Sequence, residues 1–221
     1  VAKTDFAGAL TDHGNMFGAV EYFQTMKSAN KLPIIGFEAY CETIDGRKEG
    51  NHLWLVAKSD KGIQNLIKLT SLSYENFYRK PHISYEMLEK YGEGLISSTS
   101  CMGSEVNQLL LKRDYEGAKR VAKAQQSLFG EGDYYVEIQR HGFEEEDITN
   151  PQLMKISKDL GAKLLATTDS HYTEKEDAAA HEVLLCIGTK KKITDVDRLV
   201  FNGTDYHLHS VEEMETKFED I

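Results

Sequence analysis

The feature that most constrains this chain is a repeated alternation of short apolar strands with amphipathic helices. Strand patterns fall at Ala7–Thr11, Ile34–Tyr40, His52–Ala57, Gly94–Thr99, Tyr134–Gln139 and Lys163–Thr168. Phe17, Val20, Phe23 and Met26 mark a helix that ends before Leu32-Pro33. A second helix, Asp60–Tyr74, is expected to be capped by Asp60 and to turn Ile63, Leu66, Ile67 and Leu69 inward. Further helices are predicted at Ser84–Tyr91, Ser104–Leu111, Asp114–Phe129, Pro151–Leu160, Glu174–Ile187 and Ser210–Phe218. Gly161 is a C-cap, and Ser210-Val-Glu-Glu213 is a capping box. Short strands, apolar on both faces and separated by helices, predict an α/β fold on a parallel sheet with helical crossovers. Nothing resembles a linker or a repeat, so one domain is expected. Val1–Ala9 reads as a helix tail running into a strand, which implies that something precedes it.

Charge narrows the function. With 26 Lys+Arg against 36 Asp+Glu, the formal charge is 26 − 36 = −10. A domain that wraps duplex DNA unaided is basic, because phosphate neutralisation supplies most of the affinity. Action on nucleotides would therefore need a local site, such as a metal, or a larger protein that brings the positive charge. Cys41, Cys101 and Cys186 are odd in number and far apart, which argues against a disulfide framework and for a reducing cytoplasm. No apolar run approaches the roughly 18–20 residues of a membrane span.

Chemistry-bearing residues stand at strand ends. The first strand runs into Asp12-His13-Gly14, the second carries Glu38, the third begins with His52, and the fourth ends at Ser100-Cys101. The fifth ends at Arg140-His141-Gly142 and the sixth at Asp169-Ser170-His171. In a barrel of parallel strands the C-terminal ends share one mouth, so these residues would face one basin. Imidazole, carboxylate and thiolate all suit Zn²⁺, Mn²⁺ or Fe ions. Each has a plainer reading: a capped turn for Asp12-His13 and Asp169-Ser-His171, a surface site for His52, a small core residue for Cys101, a loop for His141. Glu38 resists one, since an unpaired carboxylate in an apolar strand costs several kcal/mol. Their joint placement carries the argument.

Other histidines weigh less. His82 is expected in a solvated loop and His181 on a packed or exposed helix face. His207-Leu-His209 has a metal-binding spacing but stands apart from the strand-end series. The run Glu144–Asp147 reads as a solvated loop or helix start. No P-loop and no Gly-x-Ser-x-Gly elbow occurs, which favours metal-assisted hydrolysis over covalent catalysis through serine.

Several ordered motifs also resemble a known family. Thr11-Asp-His-Gly-Asn-Met-Phe-Gly-Ala-Val-Glu-Tyr22, Leu32-Pro-Ile-Ile-Gly-Phe-Glu38, His52-Leu, Leu165-Ala-Thr-Thr-Asp-Ser-His-Tyr172 and His181-Glu-Val-Leu-Leu-Cys-Ile187 resemble the PHP (polymerase and histidinol phosphatase) domain of bacterial DNA polymerase III alpha subunits. The resemblance runs to Ser210-Val-Glu-Glu-Met214 and implies a single PHP domain over residues 1–221. Its fold would be a distorted seven-stranded (β/α) barrel with a metal cluster of up to three Zn, Mn or Mg ions at the mouth. It implies His13, Glu38, His52, Cys101, Asp169 and His171 as ligands, with Asp12 and His141 beside them in catalytic roles. The family opens with a His-x-His strand and an Asp shortly after; this chain starts beyond that point, so one strand and three ligands are expected to be missing. The implied activity is 3′–5′ exonucleolytic phosphodiester hydrolysis inside a DNA-synthesising parent that meets DNA and other replicase subunits. The palm carboxylates of polymerisation would lie beyond Ile221. The implied alternative is a structural module that braces the polymerase or docks a proofreading partner.

Overall fold

A computed structural model of the chain describes residue 4, residues 6–201, residue 203 and residues 205–221. The helix tail expected at the start lies partly outside the described residues. Eight strands form one sheet: β1 (Ala7–Leu10), β2 (Leu32–Cys41), β3 (Asn51–Ala57), β4 (Phe77–Tyr78), β5 (Lys80–Ile83), β6 (Leu95–Ser98), β7 (Tyr134–Gln139) and β8 (Lys163–Thr167). Their order is β4-β5-β2-β3-β6-β7-β8, and β1 pairs with the first half of β2. Among the described residues there are eight α-helices: α1 (Ala19–Ser28), α2 (Asp60–Glu75), α3 (Tyr85–Tyr91), α4 (Glu105–Leu111), α5 (Tyr115–Gln126), α6 (Glu144–Leu160), α7 (Ala178–Thr189) and α8 (Val211–Lys217). Among the described residues no helix is long and apolar enough to cross a membrane.

The sheet is not all parallel. β3 runs antiparallel to both β2 and β6, whereas the β1–β2, β2–β5, β6–β7 and β7–β8 pairs are parallel. The segment between Cys41 and Asn51 is too short for a helical crossover, which takes a dozen residues or more, so the chain turns straight back. This reversal matters, because the first residues of β3 then share a rim with the last residues of its neighbours.

The sheet curls. β1 and β8 lie far apart in strand order, yet His13 just after β1 and His171 just after β8 have ring centroids 5.9 Å apart. The fold is thus a distorted α/β barrel. One core, with Phe37, Leu55, Leu66, Leu69 and Leu88, packs α2 and α3 on β2 and β3. Another, with Val106, Val121, Val136, Ile138 and Ile156, packs α4, α5 and α6 on β7.

Several local expectations change. The cap of α2 is Ser59, whose hydroxyl accepts from the Gly62 amide, and Ile67 faces solvent, since only part of the apolar arc meets the sheet. On α1 only Met26 is buried, leaving Phe17, Val20 and Phe23 exposed. Helix α6 begins at Glu144 instead of Pro151: four acidic residues in its first turn favour the positive helix terminus, and the helix continues through the proline. A 3₁₀ turn, Lys175–Asp177, precedes α7. The hairpin β4–β5 buries His82 against Tyr40, opposite to the solvated loop expected there.

Candidate metal centre

Glu38 is the hub of the barrel mouth. Its Oε2 lies 3.1 Å from His13 Nδ1, and its Oε1 lies 3.0 Å from His52 Nδ1. The Cys101 thiol donates to the same Oε1 at 3.4 Å and is 3.3 Å from His52 Nδ1. Donor atoms of His13, Glu38 and His52 fall within 4.8 Å of one another. A buried carboxylate, two imidazole nitrogens and an adjacent sulfur fit a Zn²⁺- or Mn²⁺-type ion.

The backbone explains the convergence. The strand-like path beyond β1 reaches β2 by two bonds, Glu38 N–H to Asp12 C=O at 2.9 Å and Gly14 N–H to Glu38 C=O at 2.8 Å. His52 opens the antiparallel β3, and its amide donates to the Gly103 carbonyl at 3.0 Å. A Cβ on Gly103 would stand 2.9 Å from His52 Nδ1, so only glycine leaves room for that ring. Ser100 and Asp169 adopt left-handed backbone, with φ of 59° and 43°, in the turns that end β6 and β8. Such conformations cost about 1–2 kcal/mol and concentrate at functional sites.

Asp169 and His171 complete the ring of residues. The His171 N–H donates to the Tyr206 carbonyl at 2.8 Å, while its Nδ1 holds the Asp169 carbonyl at 2.6 Å. All six residues expected as ligands therefore gather at one mouth. Beside Cys101, Asp169 and His141 opens a cavity of about 430 Å³.

The chain matches the model of the PHP domain over residues 3–141. The chain belongs to the PHP domain family. Over 96% of its length it is 43% identical to DNA polymerase III subunit alpha of Borreliella burgdorferi and 42% identical to that of Campylobacter jejuni. The Thermus aquaticus protein of the same name is 40% identical over 95% of the chain. The PHP chain spans only about a fifth of those relatives, 18–19% of their length.

Electrostatics in the PHP mouth are uneven. Burial disfavours the Glu38 carboxylate, but the His52 hydrogen bond and the His52 and His13 charges outweigh it, holding the carboxyl below its usual range. At Asp169 the His171 and His141 charges do not offset burial and the nearby Glu38 charge, which push it up to about 6. Burial, then Glu38, raises the Cys101 thiol well above its ordinary value. His13 is lowered, chiefly by burial.

The two expected catalytic residues lie differently. The Asp12 carboxylate sits against Gly18 at the start of α1, and its backbone carbonyl is what supports Glu38. His141 has no free nitrogen: Nδ1 is 2.5 Å from Glu146 Oε1 and Nε2 is 2.8 Å from the Thr168 carbonyl. Its ring stacks on Tyr206 at 4.1 Å. Burial alone would depress its pKa, but the bonds to Glu146 and Thr168 raise it, so His141 is a charged strut beneath the Asp169 turn.

Two acids escaped the sequence reading. Glu146, assigned to a solvated run, is buried as the partner of His141. Glu137, inside β7, accepts from Trp54 Nε1, Ser98 Oγ, Gln139 Nε2 and Thr167 Oγ1, which ties β3, β6, β7 and β8 beneath the mouth. A glutamate within an apolar strand was the same signal that singled out Glu38. His181, expected on a packed or exposed helix face, stands with its ring centroid 5.5 Å from that of His171.

Proposed function

We propose that this chain is a metal-dependent phosphodiester hydrolase of the 3′–5′ exonuclease type, a single PHP domain over residues 1–221 carried by a cytoplasmic DNA-synthesising polymerase alpha subunit. The observation that supports it is the convergence of His13, Glu38, His52, Cys101, Asp169 and His171 on one mouth beside a cavity of about 430 Å³, large enough for a terminal nucleotide. A bound divalent ion would supply an acidified water and polarise the phosphodiester. Glu38 orients His13 and His52 through its two oxygens. Asp169, with a carboxyl near 6, accepts or holds a proton at its carboxylate around neutral pH. The Lys80 ammonium, 4.0 Å above the Tyr40 ring that flanks His13, provides positive charge for a phosphate at a rim that is otherwise acidic. DNA and the other replicase subunits would be met through the parent protein.

The test is single-nucleotide release from 3′-labelled DNA by the full-length parent with Zn²⁺ or Mn²⁺. Activity should fall to background in a His13→Ala/Asp169→Ala variant, and equal activity in that variant would refute the reading. One observation favours the rival structural module: both Glu38 oxygens are already bonded by protein groups. If the intact parent takes up no divalent ion at this mouth, the bracing role stands in its place.

A further inference from the structure

The C-terminal segment holds a second cluster that the barrel mouth does not use. Residues 205–209 return in extended form beside the β8 turn, with a parallel bridge between Tyr172 and His207, and enter α8 at the Ser210 cap. Alternate residues of an extended chain share a face. Asp205, His207 and His209 accordingly stand together, the two rings stacked at 3.9 Å. His207 Nδ1 and His209 Nε2 each lie 3.4 Å from the same oxygen, Asp205 Oδ1.

The remaining ring nitrogens fix where the protons are. His209 Nδ1 is 2.8 Å from the His207 carbonyl, which can only accept, so the proton is on Nδ1 and the lone pair on Nε2. His207 Nε2 is 3.4 Å from Glu213 Oε1, also an acceptor, so its lone pair is on Nδ1. That Nδ1 is fully enclosed and has no hydrogen-bond partner, in a residue only 5% exposed. With both rings neutral, two lone pairs and a carboxylate oxygen therefore face one another. Such a grouping is costly unless a cation fills it. The spacing fits one: donors bonded at about 2.0–2.1 Å to a tetrahedral Zn²⁺ sit about 3.3–3.4 Å apart.

We propose that Asp205, His207 and His209 form a second, structural divalent-cation site of the Zn²⁺ class, with Asp205 Oδ1, His207 Nδ1 and His209 Nε2 as ligands. Glu213 orients His207 from behind, the usual carboxylate–histidine arrangement around zinc. Lys217 holds the other Asp205 oxygen, which limits the carboxylate to one ligating atom. The site clamps a segment that matters to the mouth, because Tyr206, between two ligands, stacks on His141 and accepts the His171 N–H. It is independent of whether the mouth hydrolyses phosphodiesters.

Two measurements test it on the whole chain. After equilibrium dialysis against Zn²⁺, a His207→Gln/His209→Gln variant should hold one equivalent less zinc than the parent chain, and Glu213→Gln should bind that equivalent about 10–100-fold more weakly. In the unaltered protein, zinc titration should shift the imidazole resonances of His207 and His209 to a saturating endpoint. Wild-type stoichiometry in a folded double variant, or resonances of both histidines that do not move at saturation, would overturn the proposal. Should the variant unfold, the titration of the unaltered chain decides alone.

Discussion

The barrel mouth and the C-terminal segment carry the same ingredients, a carboxylate between two histidines, in opposite hydrogen-bonding order. At the mouth each Glu38 oxygen meets an imidazole nitrogen or a thiol, so the buried charge is satisfied by the protein itself. On the segment the neutral imidazoles direct their protons away, to the His207 carbonyl and to Glu213, and their lone pairs at Asp205. The mouth is preassembled without an ion, whereas the segment's cluster is complete only with one. Burial by itself therefore does not fix the behaviour of an acid. Glu105, buried beneath the Ile44 amide with no histidine partner, is pushed up to about 7, while the equally buried Glu38 is held low.

The sharpest way to break this comparison is to delete each carboxylate. Glu38→Ala leaves two imidazoles and a thiol without their common partner and should destabilise the chain by about 2–4 kcal/mol in urea titration. Asp205→Ala, which without zinc gives up the Lys217 contact but relieves the lone pairs facing its carboxylate, should cost at most about 1 kcal/mol. Equal losses would mean that the mouth is not preassembled. Zinc itself gives the next effect: at about one hundred times its dissociation constant it should add about 2.7 kcal/mol per site. Chelation should remove that gain, and His207→Gln/His209→Gln should show a gain smaller than the unaltered chain's by one site.

A third experiment uses pH. The raised pKa of His141 means that its bond to Glu146 contributes stability fully present below pH 6.5 and lost as pH rises through the raised value. Glu146→Gln should therefore cost about 1–3 kcal/mol at pH 6 and less at pH 9, without altering zinc stoichiometry. A pH-independent cost would contradict the charged strut. A second pH effect, of opposite sign in the variant, belongs to Glu105→Gln. Because the folded carboxyl is raised to about 7, the wild type loses Glu105's contribution as pH climbs from about 4.5 through 7. The variant should match wild type at pH 4.5 and exceed it by about 1–2 kcal/mol at pH 8, after allowing for solvent screening.

Much of this was legible in the residues. Glu38 could be singled out because a charge in an apolar strand demands a partner, and the strand-end positions of His13, Cys101, Asp169 and His171 follow from alternation of strands and helices. The short Cys41–Asn51 connection already contained the reversal of β3, although the surrounding β/α rhythm suggested a parallel sheet. Glu137, a charge within the apolar β7, carries the same signal as Glu38. Glu146 and His82 gave none, because a helix-start acid and a histidine after proline look solvated until the elements that cover them are in place.

What the sequence determined by itself is local: helix caps at Ser84 and Ser210, the αL stop at Gly161, and the spacing that sets His207 beside His209. These depend on atoms a few residues apart, and backbone geometry alone brings them together. The tertiary structure decided the rest. Cys101 reaches Glu38 across 63 residues and Trp54 reaches Glu137 across 83. Contacts of that span exist only where the curl of the sheet repays the entropy of closing such loops.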